Sequence, residues 1–247
     1  NESQCTSVVT IEDNTAPEIF CIGDPVTTEV MSNGSFETGD FTDWTAIDNP
    51  APFLPWGVYP GNDGNGFFDN AAPTDGVWLA GNGFDGESGE AVLYQDLSIP
   101  AGATSATLTW DENIDFDLAS FCGGCVDRIY EVQVRDQSDN VLEVVQQVVA
   151  EANTIDSDNV WASLTADLAA YAGQDIRIAF WQQIPDDFSG PAKFAVDNVS
   201  LMVEEITDPL QVDLDPNGMA SIDASALLLG VNEACGWTAT VGGVGAA

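Results

Sequence analysis

The side chains with the most chemistry on offer in this chain are carboxylates. Asp and Glu number 41 against 4 Lys and Arg in 247 residues, a formal net charge of −37. Clustered carboxylates repel one another until a hard cation bridges them, so this balance suits divalent cation binding as well as solubility in a salty medium. Two acids stand where burial is expected. Glu37 follows Phe36 in Asn33-Gly-Ser-Phe-Glu37, and Asp197 follows Val196 in Phe194-Ala-Val-Asp-Asn-Val-Ser-Leu201. A buried carboxylate without a partner is costly, so each should be bonded or bound to an ion. A denser group is Asp111, Glu112, Asp115 and Asp117. A glycosidase pair would need two carboxyls at a defined separation across a cleft. With no framing signature, this run reads as a solvated or metal-binding edge. Asn62-Asp-Gly-Asn-Gly66 with Asp69 reads equally as a cation loop or a flexible turn. Asp213-Leu-Asp215-Pro-Asn217-Gly218 opens like an EF-hand loop, but its twelfth position is Ala224 and its flanks alternate like strands, so it reads as a hairpin turn.

Other chemistries are excluded or demoted. There is no His, which removes the usual general base and the commonest zinc ligand. A chain this acidic does not bind nucleic acid, and anionic membrane surfaces are disfavoured. No apolar run reaches the length of about 18 residues that spans a bilayer, so membrane insertion is not expected. No signal-peptide pattern is visible, which reads as a mature chain or a fragment. The cysteines are Cys5, Cys21, Cys122, Cys125 and Cys235. Cys122-Gly-Gly-Cys125 lacks the second close pair of a zinc site and the βαβ setting of a redox pair, so a local disulfide is the expectation. With the acidity, that points to an oxidising, extracellular compartment. Flat aromatics stack on the apolar faces of sugar rings, and Trp56, Tyr59, Trp78 and Trp181 form a candidate glycan platform. Trp56 and Tyr59 are the expected exposed pair, while Trp44 and Trp110 are assigned to the core.

The elements that must hold these groups are strands. Tyr130, Val132 and Val134 alternate with Glu131, Gln133 and Arg135, the period of a half-buried strand. Similar runs cover 76–80, 91–97, 105–110, 141–149, 176–181 and 194–203, and 33–37 is also read as a strand. Gly, Pro, Asn and Asp punctuate them at the spacing of an all-β sandwich. Leu164 to Tyr171 is read as a short helical turn, and Asp48 to Pro73 as one long loop.

Residues 30–203 resemble bacterial jelly-roll modules of the carbohydrate-binding and MAM-like type. The resemblance rests on Asn33-Gly-Ser-Phe-Glu-Thr-Gly-Asp-Phe-Thr-Asp-Trp44, Leu93-Tyr-Gln-Asp-Leu97, Leu168-Ala-Ala-Tyr-Ala-Gly-Gln174 and Val196-Asp-Asn-Val-Ser-Leu201. It implies a structural Ca²⁺ held by Glu37 and Asp197, with Asp40 or a nearby carbonyl, and Asp75 as a weaker ligand. The flanks resemble HYR-type immunoglobulin-like repeats of bacterial surface proteins. Cys5-Thr-Ser-Val-Val-Thr-Ile-Glu-Asp-Asn-Thr-Ala-Pro-Glu-Ile-Phe-Cys21, Leu210-Gln-Val-Asp-Leu-Asp-Pro-Asn-Gly218 and Asn232-Glu-Ala-Cys-Gly236 carry that likeness. It implies that 1–16 is the terminal strand of one module, and that 17–29 with 204–247 form a second, smaller and incomplete one split by the jelly roll. It further implies a Cys21–Cys235 disulfide and a partner for Cys5 outside this segment. Glu12, Asp13 and Asn14 fall at a module junction, where acids can bind Ca²⁺ or form a plain polar turn. The function expected is a calcium-stabilised, non-catalytic structural subunit of an extracellular filament or surface adhesin; the split flanks fit either identical subunits assembling head to tail by strand complementation or a window of a longer repeat array. The alternative is a non-catalytic carbohydrate-binding module whose partners are glycans. The Asn33 and Asn198 sequons lie on expected strands of a bacterial-type module and are discounted.

Overall fold

Among the described residues, alternating apolar and polar positions form strands, with a single 3-10 turn beside them. A computed structural model describes residues 25–61, 67–69, 71–83, 87–120, 126–188 and 190–206. Twelve strands run β1 (Pro25–Glu29), β2 (Thr45–Asn49), β3 (Leu54–Pro60), β4 (Trp78–Gly83), β5 (Gly89–Ser98), β6 (Ala103–Asp117), β7 (Arg128–Arg135), β8 (Val141–Ala150), β9 (Ile155–Asp156), β10 (Ala162–Asp167), β11 (Asp175–Ile184) and β12 (Ala192–Ile206). They build two antiparallel sheets, and the protein is an all-β sandwich. The first sheet has the order β10-β6-β12-β4-β3, with β1 also on β12 and β9 on β6; the second has the order β2-β5-β11-β7-β8. One core lies between them. Phe36, Trp110, Tyr130, Phe180, Phe194 and Leu201 are all buried in it. Trp44 is there too, tilted against Phe36 with ring centroids 5.4 Å apart. Among the described residues no helix is long and apolar enough to cross a membrane.

Several local expectations give way. Asn33–Glu37 is a wrapped turn, not a strand, with Asn33 and Phe36 at φ of 49° and 57°. The Asn33 amide holds it, donating to the carbonyls of Asp40 and Thr42 while its oxygen accepts from Thr38 N. Local side-chain bonds of this kind favour turns over ladders. The long loop contains β3, an edge strand that tolerates Pro55 because an edge leaves N–H groups unused. Leu164–Tyr171 is the end of β10 followed by a 3-10 turn at Ala169–Tyr171. Pro25–Glu29 pairs antiparallel with the end of β12, Pro25 opposite Ile206 and Glu29 opposite Met202. Residues 1–24 and 207–247 lie outside the described residues, and with them the immunoglobulin-like assignments, Glu12, Asp13, Asn14 and the 213–218 turn. Cys5, Cys21, Cys122, Cys125 and Cys235 and the 62–66 segment lie outside them too, so neither disulfide is tested.

Candidate functional site

Three places gather polar side chains. The first is the turn that precedes β4. Its Gly76 has φ of 61°, and a Cβ there would overlap the Glu37 carboxylate. Glu37 Oε1 accepts from Val77 N at 2.6 Å and Trp78 N at 2.7 Å. From the other side, Asp197 Oδ2 accepts from Thr74 N at 2.7 Å and Asp75 N at 3.0 Å, and its Oδ1 from Asn198 N at 2.7 Å. Asp197 is fully buried at a register shift in β12, and desolvation pushes its carboxyl up against the pull of these bonds. Asp75 accepts from Ser35 Oγ at 2.7 Å. Asp40 sits apart in function, closing its own loop through Thr38 and Thr42, and those bonds hold its carboxyl low. The sequence motifs at 33–37 and 196–201 do converge here, on one turn. Their acids do not include three whose oxygens all lie within 4.8 Å. The donor chemistry suits Ca²⁺, yet most of the converging oxygen capacity is committed to backbone N–H groups.

The second place is the covered outer face of the first sheet. Asp111, Asn113 and Asp115 alternate along β6 opposite Asp197, Ala195 and Lys193 of β12. The acidic run is therefore not a solvated edge. Asp111 and Asp115 are buried on this face, and Glu112 is buried on the other side of the sheet, toward the core. Lys193, the chain's one lysine, places Nζ 2.7 Å from Asp115 Oδ2, with both side chains 1% exposed. Nζ also donates to Asn159 Oδ1 at 2.8 Å and to the Asp69 carbonyl at 3.2 Å. Asp156 and Asp158, both exposed, bring their carboxylates within 4.8 Å of Asp115, and the three could hold a metal ion. An ammonium already occupies part of that acidic environment. Spacing could have found this cluster: Asp111, Asn113 and Asp115 share a strand face, and a lone lysine two turns of the pleat before Asp197 shares it. Glu112 carries a raised carboxyl because of desolvation, against hydrogen bonds from Trp110 Nε1 at 2.9 Å and Gln146 Nε2 at 3.4 Å.

The third place is the outer face of the second sheet. Register puts Asn49, Glu90 and Gln183 in one row, then Ile47, Val92, Trp181 and Glu131, then Thr45, Tyr94, Ala179 and Gln133. Trp181 is half-buried, and its Nε1 donates to Glu90 Oε2 at 2.8 Å. A cleft of about 450 Å³ opens beside it, walled by Asn49, Ser88, Glu90 and Gln183. A tethered indole beside neutral hydrogen-bonding groups can stack a ring and orient its hydroxyls. The four expected platform aromatics do not share this face. Trp56 and Tyr59 lie on β3 and Trp78 on β4, all in the first sheet. Trp56 is 6% exposed and packs on Phe194 at 5.6 Å, because β3 turns it inward onto the core. Tyr59 and Trp78 are half-buried, and Gly39 lies close under the Trp78 ring.

No family model matches the chain, and no curated protein sequence matches it. Solved structures do. A family 61 carbohydrate-binding module, solved with β-1,4-galactotriose, aligns at 18% identity and a TM-score of 0.45 over 70% of this chain and 97% of its own. The K3 adhesin domain of Lys-gingipain from Porphyromonas gingivalis aligns at 21% identity and 0.46, over 72% and 99%. The xylan-binding CBM22-1 domain of Paenibacillus barcinonensis Xyn10C aligns at 12% and 0.37, over 74% and 96%. These are distant likenesses of architecture.

Proposed function

We propose that this sandwich is a jelly-roll-type, non-catalytic binding module of an extracellular protein, and that it takes carbohydrate on the outer face of its second sheet. The observation that carries the reading is the Trp181 cleft. Its indole is fixed by Glu90, and Asn49, Ser88 and Gln183 offer neutral donors and acceptors around it. The carboxylates Asp111 and Asp115 are buried and bonded to Ser163 and Lys193, whereas a hydrolytic pair needs its carboxyls open to a substrate. A structural Ca²⁺ belongs to the same reading, with Glu37 and Asp197 as its ligands and Asp115, Asp156 and Asp158 as the competing set.

Titration calorimetry with neutral galacto- and xylo-oligosaccharides tests the binding. Wild-type chain should bind at least one series, and Trp181→Ala should lose it while its circular dichroism is unchanged. Binding that survives Trp181→Ala removes this face from consideration. For the ion, a melt with and without chelator should shift in wild type, and Glu37→Gln against Asp156→Asn identifies the set whose loss abolishes the shift. Head-to-tail assembly through 8–11 is a companion reading, motivated by the HYR-type motifs on both sides of 25–206. A full chain that sediments as one copy at every concentration, with Ca²⁺ present, would remove it.

A further inference from the structure

We infer that the ligand of this face is an uncharged, extended oligosaccharide that lies along β5 and fills two clefts at once. The inference rests on the carbohydrate reading of the Trp181 cleft and adds the shape and charge of what binds there. A second cleft, of about 460 Å³, lies at the free edge of β5 toward its other end, with Thr45, Tyr94 and Asp96 on its outer side and Val30, Ser32 and Leu97 beneath. It opens where β2 stops, since the β2–β5 ladder runs only from Asn49 opposite Glu90 to Thr45 opposite Tyr94. Glu90 in the first cleft and Asp96 in the second share a strand face and are six residues apart, roughly 20 Å at the rise of a strand. No single sugar ring spans that distance. Between them lies an apolar step formed by Ile47, Val92 and Trp181, cross-strand neighbours on one face, with Ile47 46% exposed. A chain of rings thus meets polar groups, then apolar surface, then polar groups again along one line.

Charge decides which chains fit. The two guanidiniums on this face are already engaged. Arg177 Nε lies 2.8 Å from Asp96 and its Nη1 3.0 Å from Asp139, and Arg135 Nη1 is 2.9 Å from the same Asp139. Arg177 is also stacked on Tyr94, 3.6 Å from the ring centroid. Neither is left to receive a uronate or sulfate. Asp43 and Glu90 line the clefts as acceptors for hydroxyls and repel anions.

The test is calorimetry on the full chain with a monosaccharide, a disaccharide and longer oligomers of the neutral sugar that binds, beside polygalacturonate. Affinity should climb with length, by on the order of tenfold between the disaccharide and the oligomer that reaches both clefts, the worth of about one good hydrogen bond. Thr45→Arg should bring the long oligomer down to disaccharide affinity. Thr45 is exposed, and the new side chain would lie across the second cleft, within reach of Asp43. Disaccharide affinity should not change, and polygalacturonate should not bind. Trp181-dependent binding that ignores length, or ignores Thr45→Arg, overturns this inference and leaves the first cleft standing. Trp181-dependent binding of polygalacturonate overturns the charge argument. If no neutral sugar binds at any length, the underlying reading fails as well.

Discussion

Replacing Lys193 by Met should be the most damaging conservative change to the first sheet. The ammonium is 1% exposed and reaches Asp115 at 2.7 Å, Asn159 at 2.8 Å and the Asp69 carbonyl at 3.2 Å. Met keeps most of the volume and removes every polar contact. Asp115, itself 1% exposed, is then left beside Asp156 and Asp158 with no counter-charge. Removing one partner of a buried pair costs about 3–5 kcal/mol, whereas neutralising both partners is often tolerated. At about 2–4 °C per kcal/mol for a domain of this size, the melting midpoint should fall by about 6–20 °C. The assay is scanning calorimetry of wild type, Lys193→Met, Asp115→Asn and the double variant. The double variant should recover much of the loss, which identifies the uncompensated charge as the cause. Added Ca²⁺ should rescue Lys193→Met more than it helps wild type, because three carboxylates are then left without a resident cation. A Lys193→Met midpoint within about 2 °C of wild type would mean a pair worth under ~1 kcal/mol, as for solvated pairs, and would rule out a buried charge that depends on Lys193.

Two further outcomes follow from single positions. Gly76→Ala should destabilise by about 1–2 kcal/mol or more, since Gly76 has φ of 61° and a Cβ would displace the Glu37 carboxylate; urea unfolding reads it directly. Glu112 has its folded pKa raised, chiefly by desolvation, so its favourable contribution is present below the unfolded value of about 4.3 and is lost as pH rises through the folded value. Glu112→Gln should therefore gain on wild type between acidic and neutral pH, and parallel denaturation midpoints across that range would show that Glu112 is not desolvated.

The β content and the core were legible in the residues because the strand signal is local. Alternation at 128–135, the apolar positions of 91–97 and 194–203, and the assignment of Trp44 and Trp110 to the core need no knowledge of distant partners. The pairing of the 33–37 and 196–201 motifs was also readable, though from resemblance and not from spacing. The turn at Asn33 was not, because its amide bonds reach Asp40 and Thr42, and a period of two says nothing of such bonds.

The candidate sites divide along the same line. That this chain is an acidic, all-β protein with carboxylates set among core residues is a property of its sequence. Which carboxylates meet is decided only by register. Lys193 faces Asp115 because β6 and β12 align those two residues across 78 positions of chain, while the loop at 156–159 covers them. Trp56 and Trp181 are both platform candidates in the sequence, with Trp56 the one expected to be exposed. The sandwich turns one onto the core and sets the other beside an open cleft, because side chains on a strand alternate between faces and only the packing of two sheets determines which face is covered.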